Sequence, residues 1–368
     1  MRAVDDNPAV PRNRRTRLKT SEALRTPLFR YFVTPVTVAL FKAVQFGCRV
    51  LPPGLWYLVA RGVGLAVWYT SPVRRRLVLR NLEIALGDKY SPAERRRIGR
   101  QSVQHFILSV MDLLLAPQHY LNGQWRQFIE ISPEHMEFAA ALRRHAGPVA
   151  FFQGHCGSWE VGHAIAGLCG GQLALIYRPL GIAQIEAEVR RLRGIFGNPI
   201  LPKKGALRGY LKMLRQNGWV GVIADQNAGA QGGFVRFFGV PVSTEVRHFQ
   251  LFQRFPTRLC AIFVQRDGFR FRFRVRAFYE TAIHRDTDDK AEAMRLAQWY
   301  MDCVQQMAEE SPEQYDWLHR RFRTRPPGAP SLYENLTHPL DRNLLQAQPP
   351  TPIPPPNWDG GTTVAAPG

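Results

Sequence analysis

Residues 154–162, GHCGSWEVG, place a histidine and a glutamate five positions apart among three glycines. A histidine can take a proton from a hydroxyl group, and a carboxylate can fix its tautomer and stabilise the imidazolium. On one continuous helix His155 and Glu160 would point about 140° apart, because each residue advances about 100°. A turn at Gly154 and Gly157, which tolerate positive φ, lets the histidine fold back over the start of a helix. We therefore predict that His155 and Glu160 lie within hydrogen-bonding distance at a strand-to-helix turn.

The elements that must hold this turn follow from the pattern around it. Ser158 is a suitable N-cap for a helix, and the run before the turn is apolar and rich in strand formers. The pattern predicts strands over 148–153, 172–177 and 219–226 and helices over 158–168, 182–196 and 206–218. This alternation is typical of an α/β fold with a mostly parallel sheet flanked by helices, and we predict that class.

Polar residues follow the ends of three predicted strands. His155 follows the first, Arg178 the second, and Asp225 and Gln226 the third. Parallel strands bring their carboxyl ends to one edge of the sheet, where α/β proteins bind ligands. We therefore predict one cleft lined by these residues, in which Asp225 pairs with Arg178 or with local backbone.

The charge of the chain is uneven. The formal net charge is +20, and residues 1–104 hold 20 of the 49 Lys and Arg but only 6 of the 29 Asp and Glu. Such a block attracts anionic lipid headgroups or nucleic acid. The apolar residues 31–69 that follow favour a retained, cytoplasm-facing membrane anchor, either one tilted span near 31–51 or a hairpin in the interface. The alternative is a helical layer packed on a soluble domain.

These patterns divide the chain into four parts. We predict a basic flexible N-terminus (1–26), a helical membrane-associated region (27–120), an α/β domain (121–335) and a disordered proline-rich tail (336–368). Eight of the 28 prolines lie in residues 337–368. The five cysteines are odd in number and include no CxxC pair, so we predict neither a disulfide framework nor a metal site, and a reducing compartment.

Seven sequence blocks carry a resemblance to a known family. They are RRRLVLRNLEIAL…SPAERRRIGRQSVQHF (74–106), GHCGSWE (154–160), YRPL (177–180), LPKKGALR (201–208), GVIADQNAG (221–229), FFGVPVST (237–244) and QYDWLHRRFRTRPPG (314–328). In this order they resemble the bacterial lipid A late acyltransferases, the lauroyl/myristoyl branch of the lysophospholipid acyltransferase superfamily. The resemblance implies a glycerolipid-acyltransferase-like fold. It also implies a cofactor-free enzyme of the inner membrane, facing the cytoplasm, that moves a fatty acyl chain from an acyl carrier protein or coenzyme A thioester to a hydroxyl of a lipid A-type glycolipid.

The resemblance also implies roles for individual residues. In this family the His-x4-Asp/Glu pair is catalytic, which makes His155 the general base and Glu160 its orienting partner. Backbone N–H groups of residues 156–159, or Arg178, would donate to the oxyanion. Lys204 lies at a predicted helix N-terminus, which suits a phosphate. The candidate substrate-binding residues are Cys156, Gly157, Ser158, Tyr177, Arg178, Lys204, Gly205, Asp225, Gln226, Phe237 and Phe238.

Several alternatives stay open at the level of the sequence. Cys156 could act as a nucleophile with His155 or His163 as its base, or these residues and Glu160 could bind zinc. The acceptor could be a phosphatidylinositol mannoside or an ornithine-type lipid. The chain could also be a non-enzymatic basic protein that binds membrane or nucleic acid, but no nucleic-acid-binding signature is evident and we predict no such partner. Four arginines, Arg320, Arg321, Arg323 and Arg325, fit either a membrane surface or a docking site for the carrier protein.

Overall fold

The computed structural model of the protein describes residues 33–120, 123–168, 172–177, 181–195, 197–202, 205–285 and 288–346. The helices in these residues are α1 (Thr34–Val50), α2 (Pro53–Thr70), α3 (Pro72–Leu86), α4 (Pro92–Tyr120), α5 (Pro133–Arg144), α6 (Trp159–Leu168), α7 (Ala183–Arg193), α8 (Ala206–Arg215), α9 (Arg247–Phe252), α10 (Asp289–Glu310) and α11 (Asn343–Gln346). The strands are β1 (Ile129–Glu130), β2 (Val149–Gln153), β3 (Leu173–Tyr177), β4 (Ile200–Pro202), β5 (Trp219–Ile223), β6 (Gly233–Phe237), β7 (Val240–Thr244), β8 (Arg258–Arg266) and β9 (Phe273–Thr281).

In the described residues, seven strands form one sheet in the order β1-β9-β8-β2-β5-β3-β4. Every neighbouring pair is parallel except β8 and β9, and β6 and β7 form a separate antiparallel hairpin. Strand β2, VAFFQ, lies inside the sheet and all five of its residues are buried. A strand that is buried on both faces is a nearly continuous apolar run, and here only Gln153 at its end is polar. The mostly parallel α/β fold with flanking helices is thus confirmed.

Helices cover both faces of the sheet. Ala150 and Phe152 of β2 belong to the core formed with α8, α9 and α10, where the ring of Phe152 stacks on Phe249 with 5.2 Å between centroids. Phe151 faces the other core, which includes side chains of α4, α5 and α6. The residues that follow β2 are therefore held between two packed helical layers.

The N-terminal helices pack against the rest of the protein. Helices α1, α2 and α3 each have a proline in their first turn, where its missing N–H leaves no intrahelical bond unmade. The buried residues of α2 include Tyr57 and Trp68. A Cβ added to Gly64 would stand 2.7 Å from the Cα of Gln104, so α2 lies in close contact with α4. These helices thus form a layer on the α/β part of the chain.

The outer side of this layer is apolar. Of the fourteen large hydrophobic side chains that are exposed in the described residues, eleven lie between residues 36 and 73. They are Val36, Leu40, Phe46, Val50, Leu51, Leu55, Leu58, Val59, Val63, Tyr69 and Val73. Clustered exposed apolar side chains mark an interaction surface. Among the helices of the described ranges, none has both the length and the apolar character needed to cross a membrane.

The chain after α10 returns to α3. Leu340 is buried, and the guanidinium of Arg80 donates to the carbonyl oxygen of His338 at 2.5 Å. Residues 338 and 340 of the predicted disordered tail therefore contact α3, which also binds the backbone N–H of Leu340 through Glu83. Residues 347–368 of that tail and the predicted N-terminal segment 1–26 lie outside the described residues.

Candidate active site

His155 and Asp225 meet at the carboxyl edge of the sheet. His155 lies two residues after β2, and Asp225 lies two residues after β5. These strands are parallel neighbours, with Gln153 opposite Ile223, so the two side chains reach the same place. The carboxylate of Asp225 holds the histidine twice: Oδ1 lies 2.7 Å from Nδ1 of the ring, and Oδ2 accepts the backbone N–H at 2.8 Å. Two residues of the predicted cleft are thus in direct contact.

The second ring nitrogen of His155 is accessible. An ionised carboxylate only accepts hydrogen bonds, so the contact with Asp225 assigns the proton to Nδ1 and the lone pair to Nε2. The His155 side chain is 21% exposed, whereas that of Asp225 is 1% exposed. None of the described residues forms a hydrogen bond with Nε2. The ring of Trp159 packs edge-on to the imidazole, with 5.1 Å between centroids. This arrangement suits a base that takes a proton from an incoming hydroxyl.

Nearby carboxylates raise the pKa of His155. Burial alone would lower that pKa, but the charge and hydrogen bond of Asp225, with the charges of Asp316 and Glu160, raise it above the ordinary value of 6.5. Burial would raise the pKa of Asp225, but His155 and Arg321 hold it below its usual range. Asp225 therefore stays ionised at neutral pH, and His155 loses its proton at a higher pH than a free histidine.

Glu160 has a different partner from the predicted one. Its carboxylate accepts hydrogen bonds from Nε of Arg193 at 3.0 Å and from Nη2 at 2.5 Å. Arg193 is the last residue of α7, which packs beside α6. The ring Nδ1 of His155 is taken by Asp225, which reaches it from the neighbouring strand, so the expected hydrogen bond between His155 and Glu160 is wrong. Glu160 acts on the histidine through its charge alone.

The turn of residues 154–158, hereafter the His155 turn, is fixed by surrounding backbone. The Gly157 N–H donates to the carbonyl of Gln314 at 2.8 Å, and the Ser158 N–H donates to the carbonyl of Val264 at 2.9 Å. Gly157 has a φ of 60°, and a Cβ there would stand 2.0 Å from the Val264 oxygen, so only glycine fits. Two of the N–H groups expected to bind an oxyanion are therefore already engaged within the protein.

Ser158 and Cys156 face the interior. Ser158 caps α6 as predicted, because its Oγ accepts from the Val161 N–H at 3.4 Å, and its hydroxyl donates to the buried Asp112 at 2.5 Å. Cys156 is 5% exposed, and burial, followed by the nearby Asp225, raises the pKa of its thiol well above the usual value. A thiol that keeps its proton is a poor nucleophile. Within the described part of the chain, no group of His, Cys, Asp and Glu side chains is arranged to hold a metal ion.

The comparison with known proteins covers most of the chain. The family model for bacterial lipid A biosynthesis acyltransferases matches residues 25–324. The chain belongs to this family. The resemblance inferred from the seven sequence blocks is thereby confirmed, and family membership favours an acyltransferase over a non-enzymatic basic protein.

Three curated relatives from Escherichia coli (strain K12) show how far the similarity extends. The lipid A biosynthesis lauroyltransferase is 27% identical over 325 residues, which cover 86% of this chain and 98% of the relative. The palmitoleoyltransferase is 25% identical over 264 residues, 71% of this chain and 82% of the relative. The myristoyltransferase is 21% identical over 293 residues, 79% of this chain and 88% of the relative.

Other residues of the family blocks lie at different distances from the surface. Tyr177 ends β3 and is buried, and its hydroxyl donates to a glutamate of α7 at 2.6 Å. Gly205 precedes α8 with a φ of 80° and has open space beside its Cα. Gln226 is exposed directly after the carboxylate that holds the histidine. Arg178 and Lys204 lie outside the described residues.

Phe237 and Phe238 lie at the tip of the β6–β7 hairpin. Phe237 is fully buried, and its ring lies 5.7 Å from that of Tyr315. Phe238 has a φ of 51° in a tight turn, and its ring lies 6.1 Å from that of Trp317. The two rings therefore brace the segment after α10, which contacts the His155 turn.

That segment contributes residues which the sequence analysis did not place at the site. The Asp316 N–H donates to the carbonyl of His155 at 2.9 Å, and the Asp316 side chain is buried. Burial raises the pKa of Asp316 above its usual range. The sequence does carry a signal for this burial, since Asp316 lies between the aromatic residues Tyr315 and Trp317. The ring of His319 accepts the Asn227 N–H at 3.0 Å and lies close to the same edge of the sheet.

Arg321 is buried rather than part of a docking surface. It is 2% exposed, and its guanidinium donates to the carbonyl of Ser243 at 2.5 Å. Its charge helps to keep the pKa of Asp225 low. Arg321 is buried because the segment after α10 enters the core between the ends of β5 and β7. Of the other three predicted docking arginines, Arg325 is partly buried, and Arg320 and Arg323 are exposed.

Proposed function

We propose that the enzyme transfers a fatty acyl chain from an acyl carrier protein or coenzyme A thioester to a hydroxyl group of a lipid A-type glycolipid precursor. Membership of the lipid A biosynthesis acyltransferase family supports the reaction class. The observation that carries the proposal is the accessible Nε2 of His155, a nitrogen whose ring is held by the buried carboxylate of Asp225.

In the proposed reaction His155 is the general base. Its Nε2 takes the proton of the acceptor hydroxyl while the oxygen attacks the carbonyl carbon of the thioester. The tetrahedral intermediate then collapses, the C–S bond breaks, and the leaving thiolate takes the proton back from the imidazolium. Asp225 orients the ring and stabilises its charged form, as the acid of a catalytic triad does. The transfer is direct and needs no cofactor, and the buried thiol of Cys156 takes no part in it.

Glu160 and Arg193 form a second polar pair near the base. Burial would raise the pKa of Glu160, but the charge and hydrogen bonds of Arg193 lower it below the usual range. The resulting negative charge is one of those that raise the pKa of His155. We assign Glu160 an electrostatic role in proton acceptance and Arg193 the role of positioning Glu160.

A product analysis tests the proposed function. Purified protein is incubated with acyl carrier thioester and an under-acylated lipid A precursor, and in parallel with total cell lipid, and the products are identified by mass spectrometry. We expect one new ester-linked acyl chain on the glycolipid, absent with the His155→Ala variant. Acylation of a phosphatidylinositol mannoside or an ornithine-type lipid would change the acceptor and keep the reaction class. Absence of acyl transfer from either donor to any lipid would contradict the proposal.

The N-terminal helices are proposed to hold the enzyme at the cytoplasmic face of the inner membrane. The support is the apolar outer side of α1 and α2, which also carries the exposed Lys42 and Arg49. Apolar side chains enter the lipid at an interface, while neighbouring Lys and Arg attract anionic headgroups. The interfacial hairpin is therefore the form of attachment that we propose.

Surface charges test this attachment without disturbing the core. Glutamate in place of Leu40, Phe46 and Leu58, each more than 60% exposed, should move the protein from the membrane to the soluble fraction. The matched control replaces with glutamate the three exposed large hydrophobic residues elsewhere in the described chain: Val110, Met136 and Leu207. The control should stay with the membrane. Release of the unmodified protein by high salt alone would instead indicate a purely electrostatic attachment.

The basic surface is proposed to favour an acidic carrier protein as donor. Exposed basic side chains lie on both faces of the sheet: Arg190 and Arg191 on α7, and Arg208, Lys212 and Arg215 on α8. Attraction between opposite surface charges is screened by salt. The apparent affinity for acyl carrier protein should therefore fall as salt rises, while that for a small coenzyme A thioester changes much less. If the apparent affinities for both donors fell equally with salt, electrostatic docking of the carrier protein would be contradicted.

A further inference from the structure

A sealed ion pair lies beside the His155 turn. Asp112 of α4 and Arg266 at the end of β8 both have side chains that are 0% exposed. The guanidinium of Arg266 binds the carboxylate in a bidentate manner, with Nη1 3.0 Å from Oδ1 and Nη2 2.5 Å from Oδ2. The hydroxyl of Tyr57, on α2, donates to Asp112 and accepts from Arg266. Three separate elements, α2, α4 and β8, thus meet at one buried polar cluster.

This cluster contacts the His155 turn by two routes. Through the carboxylate, Asp112 accepts the hydroxyl of Ser158, the residue that caps α6. Through the backbone, Arg266 exchanges two hydrogen bonds with the side-chain amide of Gln314, at 2.9 and 3.0 Å. The carbonyl of the same Gln314 accepts the Gly157 N–H at 2.8 Å. The two residues that immediately precede α6 are therefore both tied to the ion pair.

A buried ion pair usually adds little to the free energy of unfolding. Removing two charges from water is expensive, and apolar replacements of a buried pair are often neutral or stabilising. Such a pair does restrict geometry, because the two parallel hydrogen bonds between a guanidinium and a carboxylate fix the orientation of both side chains. The Asp112 carboxylate also lies at the N-terminus of α6, where the helix dipole favours negative charge. These features suit a cluster whose role is to hold a turn in one conformation.

We propose that Asp112, Arg266 and Tyr57 form a positioning network for acyl transfer, which fixes the His155 turn so that His155 keeps its contact with Asp225. The proposal rests on the general-base role of His155 given above. Tyr57 lies on the same helix as the exposed Leu58 and Val59. The network therefore also connects the apolar outer layer of the enzyme to the turn that carries its base.

Two mild substitutions test the network. Tyr57→Phe removes one hydroxyl and keeps the ring, and Ser158→Ala cuts the link between Asp112 and the turn. Both should lower kcat about tenfold or more with little change in KM, because a misplacement of about 1 Å at a reacting group can cost about 10²-fold. Ser158→Thr, which retains the hydroxyl, should recover most of the kcat lost in Ser158→Ala.

A second ion pair with a buried carboxylate provides the control. The Glu292 side chain on α10 is 1% exposed and pairs at 2.7 Å with Arg295, whose side chain is 36% exposed. Glu292→Gln should lower the melting temperature as much as the network variants do and leave kcat unchanged. If Tyr57→Phe and Ser158→Ala likewise lower only the melting temperature, the positioning role is wrong.

A titration of His155 gives a readout that is independent of activity. The titratable groups that face the histidine are Asp225 after β5, Asp316 and His319 after α10, and Glu160 and His163 on α6. The pKa of His155 is followed by NMR, and its signal is identified by its loss in His155→Ala. The pKa should lie above 6.5 in the wild type and in Glu292→Gln, and should fall in the network variants as the contact with Asp225 loosens. An unchanged pKa in those variants overturns the network. A fall in that pKa together with a wild type that transfers no acyl chain would retain the network and overturn the proposed function.

Discussion

Two polar pairs flank the His155 turn, and they differ in access to solvent. In the pair of His155 and Asp225 the histidine side chain is 21% exposed, whereas in the pair of Asp112 and Arg266 both side chains are 0% exposed. A histidine that reaches solvent can exchange a proton with a substrate near neutral pH. A sealed arginine stays charged and can only hold its partner in place. In the proposed mechanism, the pair that reaches solvent and titrates takes part in proton transfer, and the sealed pair holds the turn in place.

A third pair, that of Glu160 and Arg193, shares features of both. Glu160 is 6% exposed and Arg193 is 24% exposed at the side chain. The carboxylate is held by a fork, as Asp112 is, yet its charge still contributes to the raised pKa of His155. The Glu160 carboxylate is thus both held in place and able to influence the histidine. The substitutions Asp225→Asn and Glu160→Gln, described below, separate its effect from that of Asp225.

The largest effect is expected from removal of the base. His155→Ala should lower kcat by about 10²–10⁴-fold or more, because the proposed mechanism assigns the hydroxyl proton to His155 and to no other described residue. A double variant that also carries Glu160→Ala should be little worse, since groups that act as a unit do not add. Steady-state kinetics and a thermal melt check this. A His155→Ala variant with near-normal kcat would place the base elsewhere.

The next effect concerns the pH dependence of the base. Activity should rise with pH as His155 loses its proton, and the raised pKa places this rise above pH 6.5. Asp225→Asn removes the largest favourable influence on the imidazolium, so the rise should move to lower pH while kcat falls. Glu160→Gln should move the rise in the same direction by a smaller amount, because Glu160 acts only through its charge. Profiles of kcat against pH for the three proteins measure both shifts.

The same pKa shifts predict how the pair contributes to stability. The folded pKa of His155 is raised, so its contribution is complete below about pH 6.5 and is lost as pH rises through the folded pKa. The folded pKa of Asp225 is lowered, so its contribution is present above about pH 3.8 and is lost as pH falls through the folded pKa. Thermal melts of the wild type and of Asp225→Asn should differ most between these limits.

A smaller effect on kcat is expected from a change at Gly157, in the turn between the His155–Asp225 and Asp112–Arg266 pairs. Gly157→Ala places a Cβ 2.0 Å from the Val264 oxygen at a φ of 60°, so the turn must shift. Backbone strain of this kind costs about 1–3 kcal/mol, and kcat should fall as His155 moves. Gly123→Ala is the matched control, because Gly123 has a φ of 71° and open space around it. Equal loss of kcat in both variants would mean that the His155 turn is not specially constrained.

The smallest effect is expected from Cys156→Ala. The thiol is buried and its pKa is raised, so the variant should keep most of its kcat. Mass spectrometry of the wild-type protein after exposure to donor should reveal no acyl adduct. A variant as inactive as His155→Ala, with a hydroxylamine-sensitive adduct on the wild type, would show that transfer proceeds through an acyl-enzyme.

Much of the fold could be predicted because its signals are local. The run VAFFQ has no polar face, so it had to be an interior strand of a sheet covered on both sides. Ser158 before an apolar helical stretch gave the start of α6, and the observed cap agrees. The position of His155 and Asp225 after parallel strands placed both at one edge of the sheet. The contacts of His338 and Leu340 with α3 had no local signal, since they lie in a proline-rich neighbourhood that resembles a disordered tail.

The sequence by itself determined the candidate residues of the site and the edge of the sheet at which His155 and Asp225 lie. Only the tertiary structure decided which of them touch. His155 could bond to Glu160, five residues on, but the register of β2 and β5 brings Asp225, 70 residues away, onto its ring. Glu160 in turn meets Arg193, 33 residues away, because α6 and α7 pack side by side. Short-range spacing limits which pairs are possible, whereas strand register and helix packing set the distances of a few ångströms on which hydrogen bonds and pKa values depend.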